Sequence, residues 1–181
     1  MKKLVFVLSM TVMILFYTTV HADTGKFSLT VSTQADTSGV WYVLLREDGS
    51  EVHKPTQYEI YEVRGTSESI EVYASFVEDP EGHEHDQEML AIYISSIDYF
   101  SGFIYQDVQW SEGFISVAYN GRYGYLDMSG NIVIPFQWAS GAPFHNGIAQ
   151  VGYETSYGYA IAYIDTTGTI VALHPCNMTE N

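Results

Sequence analysis

The chain is short of basic residues, of cysteine and of long apolar runs, and each shortage removes a class of protein. Against 22 Asp and Glu there are only 7 Lys and Arg, a formal net charge of −15. Lys2 and Lys3 belong to the leader described below, so the chain without it carries −17 and keeps Lys26, Arg46, Lys54, Arg64 and Arg122. Such a surface repels a phosphate backbone, which argues against nucleic acid as a partner, and it repels anionic lipid for the same reason. Cationic proteins and polyvalent metal ions are electrostatically compatible with it. The single cysteine, Cys176, has no mate for an internal disulfide. It reads as an incidental tail residue, with pairing to another molecule as the alternative. Asn177-Met178-Thr179 has the glycosylation pattern, which matters only in a eukaryotic secretory pathway.

The apolar run that does exist is at the front. Lys2 and Lys3 precede Leu4 to Val20, and Val20-His21-Ala22 places small residues at the −3 and −1 positions of a cleavage site. This is the pattern of a secretory signal peptide over 1–22, with cleavage expected between Ala22 and Asp23. An uncleaved anchor is the alternative, but the run is slightly short of the ~20 residues a span needs. No cysteine stands near the site, so a bacterial lipoprotein anchor is excluded. The expected location is secreted, extracellular or periplasmic, with no membrane span after cleavage. The remainder is long enough for one well-packed domain.

Helical periodicity is also missing, and what takes its place is alternation. Fifteen Tyr, together with Val, Ile, Phe and Trp, favour half-buried strands. Phe27, Leu29 and Val31 fall on one strand face, as do Ile70, Val72, Ala74 and Phe76, with Glu71 and Tyr73 opposite. Tyr159, Ile161 and Tyr163 repeat the alternation. Short strands separated by turn signals predict an all-β protein. Asn120-Gly121 predicts a two-residue hairpin, because both residues accept positive φ. Asp127-Met128-Ser129-Gly130 predicts a second turn, in which the Asp carboxylate takes a backbone N–H and Gly supplies the left-handed residue. Asp165-Thr166-Thr167-Gly168 reproduces it. Pro135, lacking an N–H, belongs at a strand end or edge.

These signals recur in order. Gly113-Phe114-Ile115-Ser116-Val117 leads to Tyr123-Gly124-Tyr125-Leu126-Asp127 and Gly130-Asn131-Ile132-Val133-Ile134-Pro135. The order returns as Gly147-Ile148-Ala149-Gln150-Val151, Tyr163-Ile164-Asp165 and Gly168-Thr169-Ile170-Val171-Ala172. A period of roughly 35–40 residues marks a repeat architecture. One unit is expected to be a three-stranded antiparallel meander over roughly 113–119, 122–127 and 131–135.

The unit resembles the bacterial WG repeat. Trp110-Ser111-Glu112-Gly113-Phe114-Ile115-Ser116-Val117 is similar to the family's F-x-E-G-L-A-x-V opening. Gly121-Arg122-Tyr123-Gly124-Tyr125-Leu126-Asp127 is similar to its G-K-W-G-Y-I-D strand, and Gly130 to Trp138 to its x-x-G-x-x-V-I-P ending and aromatic. The second copy opens at Phe144-His145-Asn146-Gly147 and carries four extra residues between Val151 and Asp165. Tyr123 stands where the family has its Trp. Tyr157-Gly158 precedes the insertion, and Ala172-Leu173 replaces the closing I-P. The resemblance divides the chain into a β-rich N-terminal region, 23–93, a WG-like repeat region, 94–174, and a tail, 175–181. Residues 23–93 are either a distinct region or decayed copies. Asp48-Gly49-Ser50-Glu51-Val52 with Pro55-Thr56-Gln57-Tyr58, and Ile97-Asp98 with Gly102-Phe103-Ile104-Tyr105, resemble unit endings.

Chemistry-bearing residues are weakly patterned. His83 and His85, among the carboxylates of 78–88, have the donor types for Zn²⁺ or Cu²⁺. They lack zinc-finger or H-E-x-x-H spacing and the alternating acids of a Ca²⁺ loop. A solvated hairpin loop without tight metal binding is expected there. No G-x-S-x-G elbow is present, and His53, His145 and His174 are scattered. Carboxylate pairs for glycoside hydrolysis are uninformative among so many acids. Trp41, Trp110 and Trp138 are candidates for sugar stacking, but Trp110 and Trp138 occupy aromatic positions that stacked units bury. Gly124 between Tyr123 and Tyr125 is expected to leave a slot that a neighbouring aromatic covers. No catalytic, cofactor or metal residues are assigned. The resemblance implies a non-catalytic binding module, most simply for a protein, with a glycan as the alternative and a hydrolase as the less favoured one.

Overall fold

A computed structural model describes residues 16–18, 29–36, 39–65, 69–77, 86–156 and 158–174. The segment 78–85, with His83 and His85, lies outside the described residues, as do Phe27, Tyr157 and the tail with Cys176 and Asn177. The described chain is all-β, apart from one 3-10 turn at Ser95–Ile97, and no described helix is long and apolar enough to cross a membrane.

The strands form antiparallel sheets met one after another along the chain. The first contains β1 (Phe16–Thr18), β2 (Thr30–Asp36) and β3 (Gly39–Leu45). The second contains β4 (Glu59–Gly65), β5 (Ser69–Val77), β6 (Asp86–Ile94) and β7 (Tyr99–Phe100). The third contains β8 (Asp107–Ser111), β9 (Phe114–Tyr119), β10 (Arg122–Asp127) and β11 (Ile132–Trp138). The fourth contains β12 (Ser140–Gly141), β13 (Ile148–Thr155), β14 (Gly158–Asp165) and β15 (Ile170–Leu173). Strands pair in chain order within each sheet. β1 lies inside the stretch read as a leader and pairs with β2 through Phe16↔Thr33 and Thr18↔Val31. Residues 51–56 run along β3 through the bridges Leu45↔Glu51 and Tyr42↔Thr56, in the place that β11 holds beside β10.

The expected meander is present as β9, β10 and β11, with one strand more than the sequence indicated. β8 pairs with β9 from Asp107↔Ala118 to Ser111↔Phe114. Its turn, Glu112-Gly113, has φ of 52° and 79°, the same positive pair as Asn120-Gly121 at 50° and 71°. Both are two-residue hairpins of the primed type. Asn146-Gly147, at 53° and 74°, opens the fourth sheet in the same way.

The turn closing the meander occurs four times. Asp127 N–H donates to Asn131 O and Gly130 N–H to Asp127 O, and Asp165, Thr169 and Gly168 repeat both bonds. Arg46, Ser50 and Gly49 make them again. In the second sheet Asp98 N–H donates to Ser95 O, and Asp98, at φ 52°, takes the left-handed position. This corrects one alignment. Ile97-Asp98 does not end a strand: Tyr93-Ile94-Ser95 is the equivalent of Tyr125-Leu126-Asp127, and Asp98 stands where Gly130 stands. An Asp tolerates αL well enough to hide the turn from a search for glycine.

The sheets stack face to face, and alternation along each strand sends neighbouring side chains into different cores. Leu29, Val31, Leu44, Ile60, Val63, Val72, Ala74, Ala91 and Tyr93 fill the space between the first and second sheets. Leu90, Ile92, Ile94, Tyr105, Val108, Ile115, Val117 and Leu126 fill the next. Tyr125, Ile134, Trp138, Phe144, Ala149, Val151, Ala162 and Ile164 fill the last. β6 shows the logic plainly, with Ala91 and Tyr93 facing one core and Ile92 and Ile94 the other. Both faces of an inner sheet are buried, so both sets of alternating residues are apolar.

Candidate functional site

The turn acids and the repeat's Glu are committed to structure. Asp127 Oδ1 accepts the N–H groups of Ser129 (2.8 Å) and Asn131 (2.9 Å), and its Oδ2 accepts Asn131 Nδ2 (3.0 Å). Asp165 does the same for Thr167 and Thr169. The Asn131 side chain holds the Asp127 carboxyl below the usual range, and the Thr167 hydroxyl holds that of Asp165 there. Glu112 reaches across to the next sheet, where its two oxygens accept Asn146 N–H (2.6 Å) and Gly147 N–H (2.8 Å). Those bonds, Gly147 first, depress its pKa. Sequence reasoning placed Glu112 in the motif but gave it no partner, because the two amides lie 34 and 35 residues away.

The histidines available for catalysis are dispersed. His145 and His174 are exposed, His145 on the β12–β13 hairpin and His174 beyond β15, where its N–H donates to Ile161 O. His53 is packed between the first two sheets. Its ring stacks on Phe100 (4.7 Å between centroids) and meets Phe103 edge-on (5.7 Å). Nε2 accepts Leu44 N–H at 3.3 Å, so Nδ1 carries the proton and donates to Lys54 O at 2.6 Å. Burial lowers its pKa, opposed by the Lys54 carbonyl and the Glu51 charge. The depressed value makes the neutral ring a source of stability above the ordinary His value of 6.5. That stability is lost as pH falls from there toward the folded-state pKa. The carboxylates, with ordinary values of 3.8 and 4.5, give up theirs only at lower pH. Denaturant midpoints are therefore expected to fall between pH 7 and pH 5.5 in the native protein, and to change much less in His53→Gln. Equal slopes for both proteins would contradict the role given to this ring.

Gly124 has its slot, and Phe136 covers it. A Cβ at Gly124 would lie 2.8 Å from Ile134 O and 2.9 Å from the Phe136 ring. Phe136 turns to that side because the β10–β11 register slips between Tyr123↔Trp138 and Tyr125↔Ile134. Pro135 sits in the bulge, on an edge strand, as its missing donor requires.

The third and fourth sheets are joined by a strap, residues 139–145, which includes β12 and belongs to the fourth sheet: Ala139 N–H donates to Gly152 O, Ala142 N–H to Gln150 O and His145 N–H to Ile148 O of β13. Phe144, fully buried, packs at 4.9 Å from both Phe114 and Tyr125. Tyr125 OH donates to Ala142 O (2.8 Å) and Ser111 Oγ to Phe144 O (2.5 Å). Burial pushes Tyr125 up to about 12. Gly141 lies against the Tyr123 ring, and Tyr123 OH donates to Asp107 Oδ2 (3.0 Å). Arg122 pairs with Glu154 across the same junction.

The fourth sheet has the equivalent face, and no core cluster of the described residues lies on it. Its register makes Ile148, Gln150, Gly152, Ile161 and Tyr163 the counterparts of Phe114, Ser116, Ala118, Tyr123 and Tyr125. None of these five joins a core cluster. The expected Tyr159–Ile161–Tyr163 alternation exists, but it is this outer face; Ala162 and Ile164, both 0% exposed, are the core side. Alternation fixes the period of a strand and leaves open which face is inward when both are apolar. The four extra residues lengthen the β13–β14 hairpin by the pairs Glu154↔Tyr159 and Thr155↔Gly158. Ile161-Ala162, not Tyr157-Gly158, therefore corresponds to Tyr123-Gly124. The Tyr159 ring folds over Gly152 and its hydroxyl bonds Ser140 Oγ, covering one corner. At the other end of the stack the outward residues Ser32 and Val43 are already buried, at 2% and 0%.

A series of antiparallel meanders, three of them four-stranded, stacked one on the next, defines a β-repeat protein. Residues 123–153 match the model of the family described as WG containing repeat. The match starts in β10 and ends in β13, so one period of the family pattern takes half of one sheet, the strap and half of the next. No curated protein matched the chain.

Proposed function

We propose that this is a secreted, non-catalytic binding module whose partner is a protein, and that the outer face of the fourth sheet is the contact surface. One observation carries the reading: this face has the composition of a face that is buried elsewhere in the same molecule. An apolar sheet face of this kind is a site of association. Tyr119 and Tyr159, exposed at 39% and 51%, stand on different sheets. Those two rings do not form a row for a sugar, which favours the protein reading. His53 and the carboxylates of Glu112, Asp127 and Asp165 are spent on packing, a sheet junction and turns, and His145 and His174 stand on separate loops, which supports binding over turnover. The acidic surface adds a salt-sensitive attraction to a basic partner.

The exposed Gln150 on this face gives the test. Proteins captured from the host's extracellular fraction are identified, purified and rebound to native protein, to Gln150→Arg and to Gln57→Arg, an exposed position between β3 and β4. Direct binding lost in Gln150→Arg and kept in Gln57→Arg is expected. Binding to glycans with no protein partner would replace the proposal, and so would turnover abolished by one His or carboxylate substitution in a folded protein.

A further inference from the structure

We infer that the edge of β2 is a strand-addition site: β1 of the leader fills it in the uncut chain, and after cleavage behind Ala22 an extended segment of a partner protein takes that place. The inference rests on the export and cleavage proposed above, and it stands whether or not the fourth sheet binds.

Each of the four sheets has a strand in this position. β4 lies beside β5, β8 beside β9 and β12 beside β13, as β1 lies beside β2. The turn bonds align Arg46 and Gly49 with Asp127 and Gly130, which makes Val31, Ser32 and Thr33 the counterparts of Ser116, Val117 and Ala118. β1 pairs Thr18, Tyr17 and Phe16 with those three, and β8 pairs Gln109, Val108 and Asp107 with theirs. The register is the same. β12 keeps it in the fourth sheet through Gly141↔Val151 and Ser140↔Gly152. Of these four strands, β1 alone is separated from its sheet by the expected cut.

The backbone of β2 is turned toward that place. Tyr42, opposite Thr33, exchanges its N–H and C=O with Thr56 at 2.7 and 2.9 Å, and Leu44, opposite Val31, accepts Val52 N–H at 2.8 Å. Backbone groups alternate sides along an antiparallel strand, so Val31 and Thr33 direct theirs away from β3 and toward β1. Hydrolysis of the Ala22–Asp23 bond by a peptidase adds the hydroxyl of water to Ala22 and its hydrogen to Asp23. The cut detaches β1, and an edge deprived of its strand is a template for another. β2 has no Lys, Pro or Gly to discourage pairing, and its one charge, Asp36, is at its end. β11, an edge of the third sheet, carries Pro135 in a bulge.

The cut chain refills the place poorly. A hairpin like that of β8 and β9 would turn at Phe27-Ser28, the counterparts of Glu112-Gly113, and a bulky Phe is strained at positive φ. A second copy would bring two chains of formal charge −17 together. A separate protein with an extended segment meets neither obstacle. Its residue opposite Ser32 takes the position of Val108, which is buried in the second core, so an apolar side chain fits there.

The probe is a synthetic peptide of residues 16–22, Phe-Tyr-Thr-Thr-Val-His-Ala. It is titrated into the exported chain, with cleavage checked by intact mass, and into the uncut full chain, and amide shifts are followed. Saturable binding to the cut chain is expected, with shifts in β2 and none in β13 or β14. Binding to the uncut chain should be about tenfold weaker or less, because a tethered β1 competes for the place. N-methylation of the peptide at Thr18, whose amide faces Val31, should weaken binding about tenfold, and at Tyr17, whose amide points away, less than about twofold. Thr33→Pro should abolish binding in a folded chain, since an edge strand tolerates Pro where the N–H faces outward. Gln150→Arg should leave binding unchanged. No saturable binding, equal effects of the two N-methyl groups, or equal binding to cut and uncut chains would overturn the inference. So would an exported chain that keeps residues 1–22, or slow hydrogen exchange at Val31 and Thr33 in the free cut chain. Dimerisation of the cut chain that is lost in Thr33→Pro would assign the edge to a second copy instead. Failure of the peptide while a captured protein still depends on Gln150 sinks this inference and leaves the fourth-sheet surface standing.

Discussion

Phe144→Ala is expected to cost about 3–5 kcal/mol, the range for removing a fully buried Phe. The ring is the centre of the last core. It touches Phe114 and Tyr125 of the third sheet, and it belongs to the strap that carries Tyr125's hydrogen-bond acceptor. Removing it leaves a cavity and loosens the strap together. The unusual part of the expectation is where the loss appears. A stacked protein is stabilised by each sheet's contacts with its neighbours, so the fourth sheet should melt before the others in this variant. Hydrogen exchange should show amides of β13 and β14 losing protection while those of β5 and β6 keep theirs. A uniform loss throughout the chain, or a denaturation midpoint within error of the native protein, would refute the nearest-neighbour account.

Gly130→Val is expected to be the second severe change, at roughly 2–5 kcal/mol, from two separate causes. The residue has φ 76°, where a β-branched side chain is strained by about 1–2 kcal/mol. A Cβ there would also lie 2.8 Å from the Tyr99 ring of the preceding sheet, an overpacking worth about 1–3 kcal/mol. Gly121→Val separates the two. It has φ 71° and open space around its Cβ, so only the strain should appear. Gly168, at φ 83°, meets Ile134 of the sheet before it, as the repeat requires. Gly49, at φ 81° in the turn after β3, has open space around its Cβ. Denaturant midpoints falling equally in Gly130→Val and Gly121→Val would show that the approach to Tyr99 is relieved at no cost.

The sequence was legible where information is local. Asn120-Gly121 and Asp127–Gly130 named their turns because the backbone conformations they need are accessible to few residues. Pro135 announced an edge for the same kind of reason. The short range of these effects is also why β8 was missed as part of the unit: Asp107–Ser111 has no turn glycine before it, and its strand is defined by pairing with β9. Ser95–Asp98 was misaligned because a left-handed Asp does what glycine does elsewhere.

The amino-acid sequence by itself determined the class of protein: β-rich, repeated, acidic, with turns set by Asn-Gly and Asp-x-x-Gly and a family pattern that the family model matches over 123–153. Composition and local conformational preference are properties of short stretches, and they survive without knowledge of the fold. Only the tertiary structure decided which face of each strand is core, because inner sheets are apolar on both sides and period alone is silent between them. It gave Glu112 its two amides and His53 its aromatic neighbours, contacts between residues far apart in the chain. It also distinguished the Tyr125 face from the Tyr163 face. Those two positions read alike in the sequence; stacking packs the fourth sheet, with Phe144, on the first and no described sheet on the second.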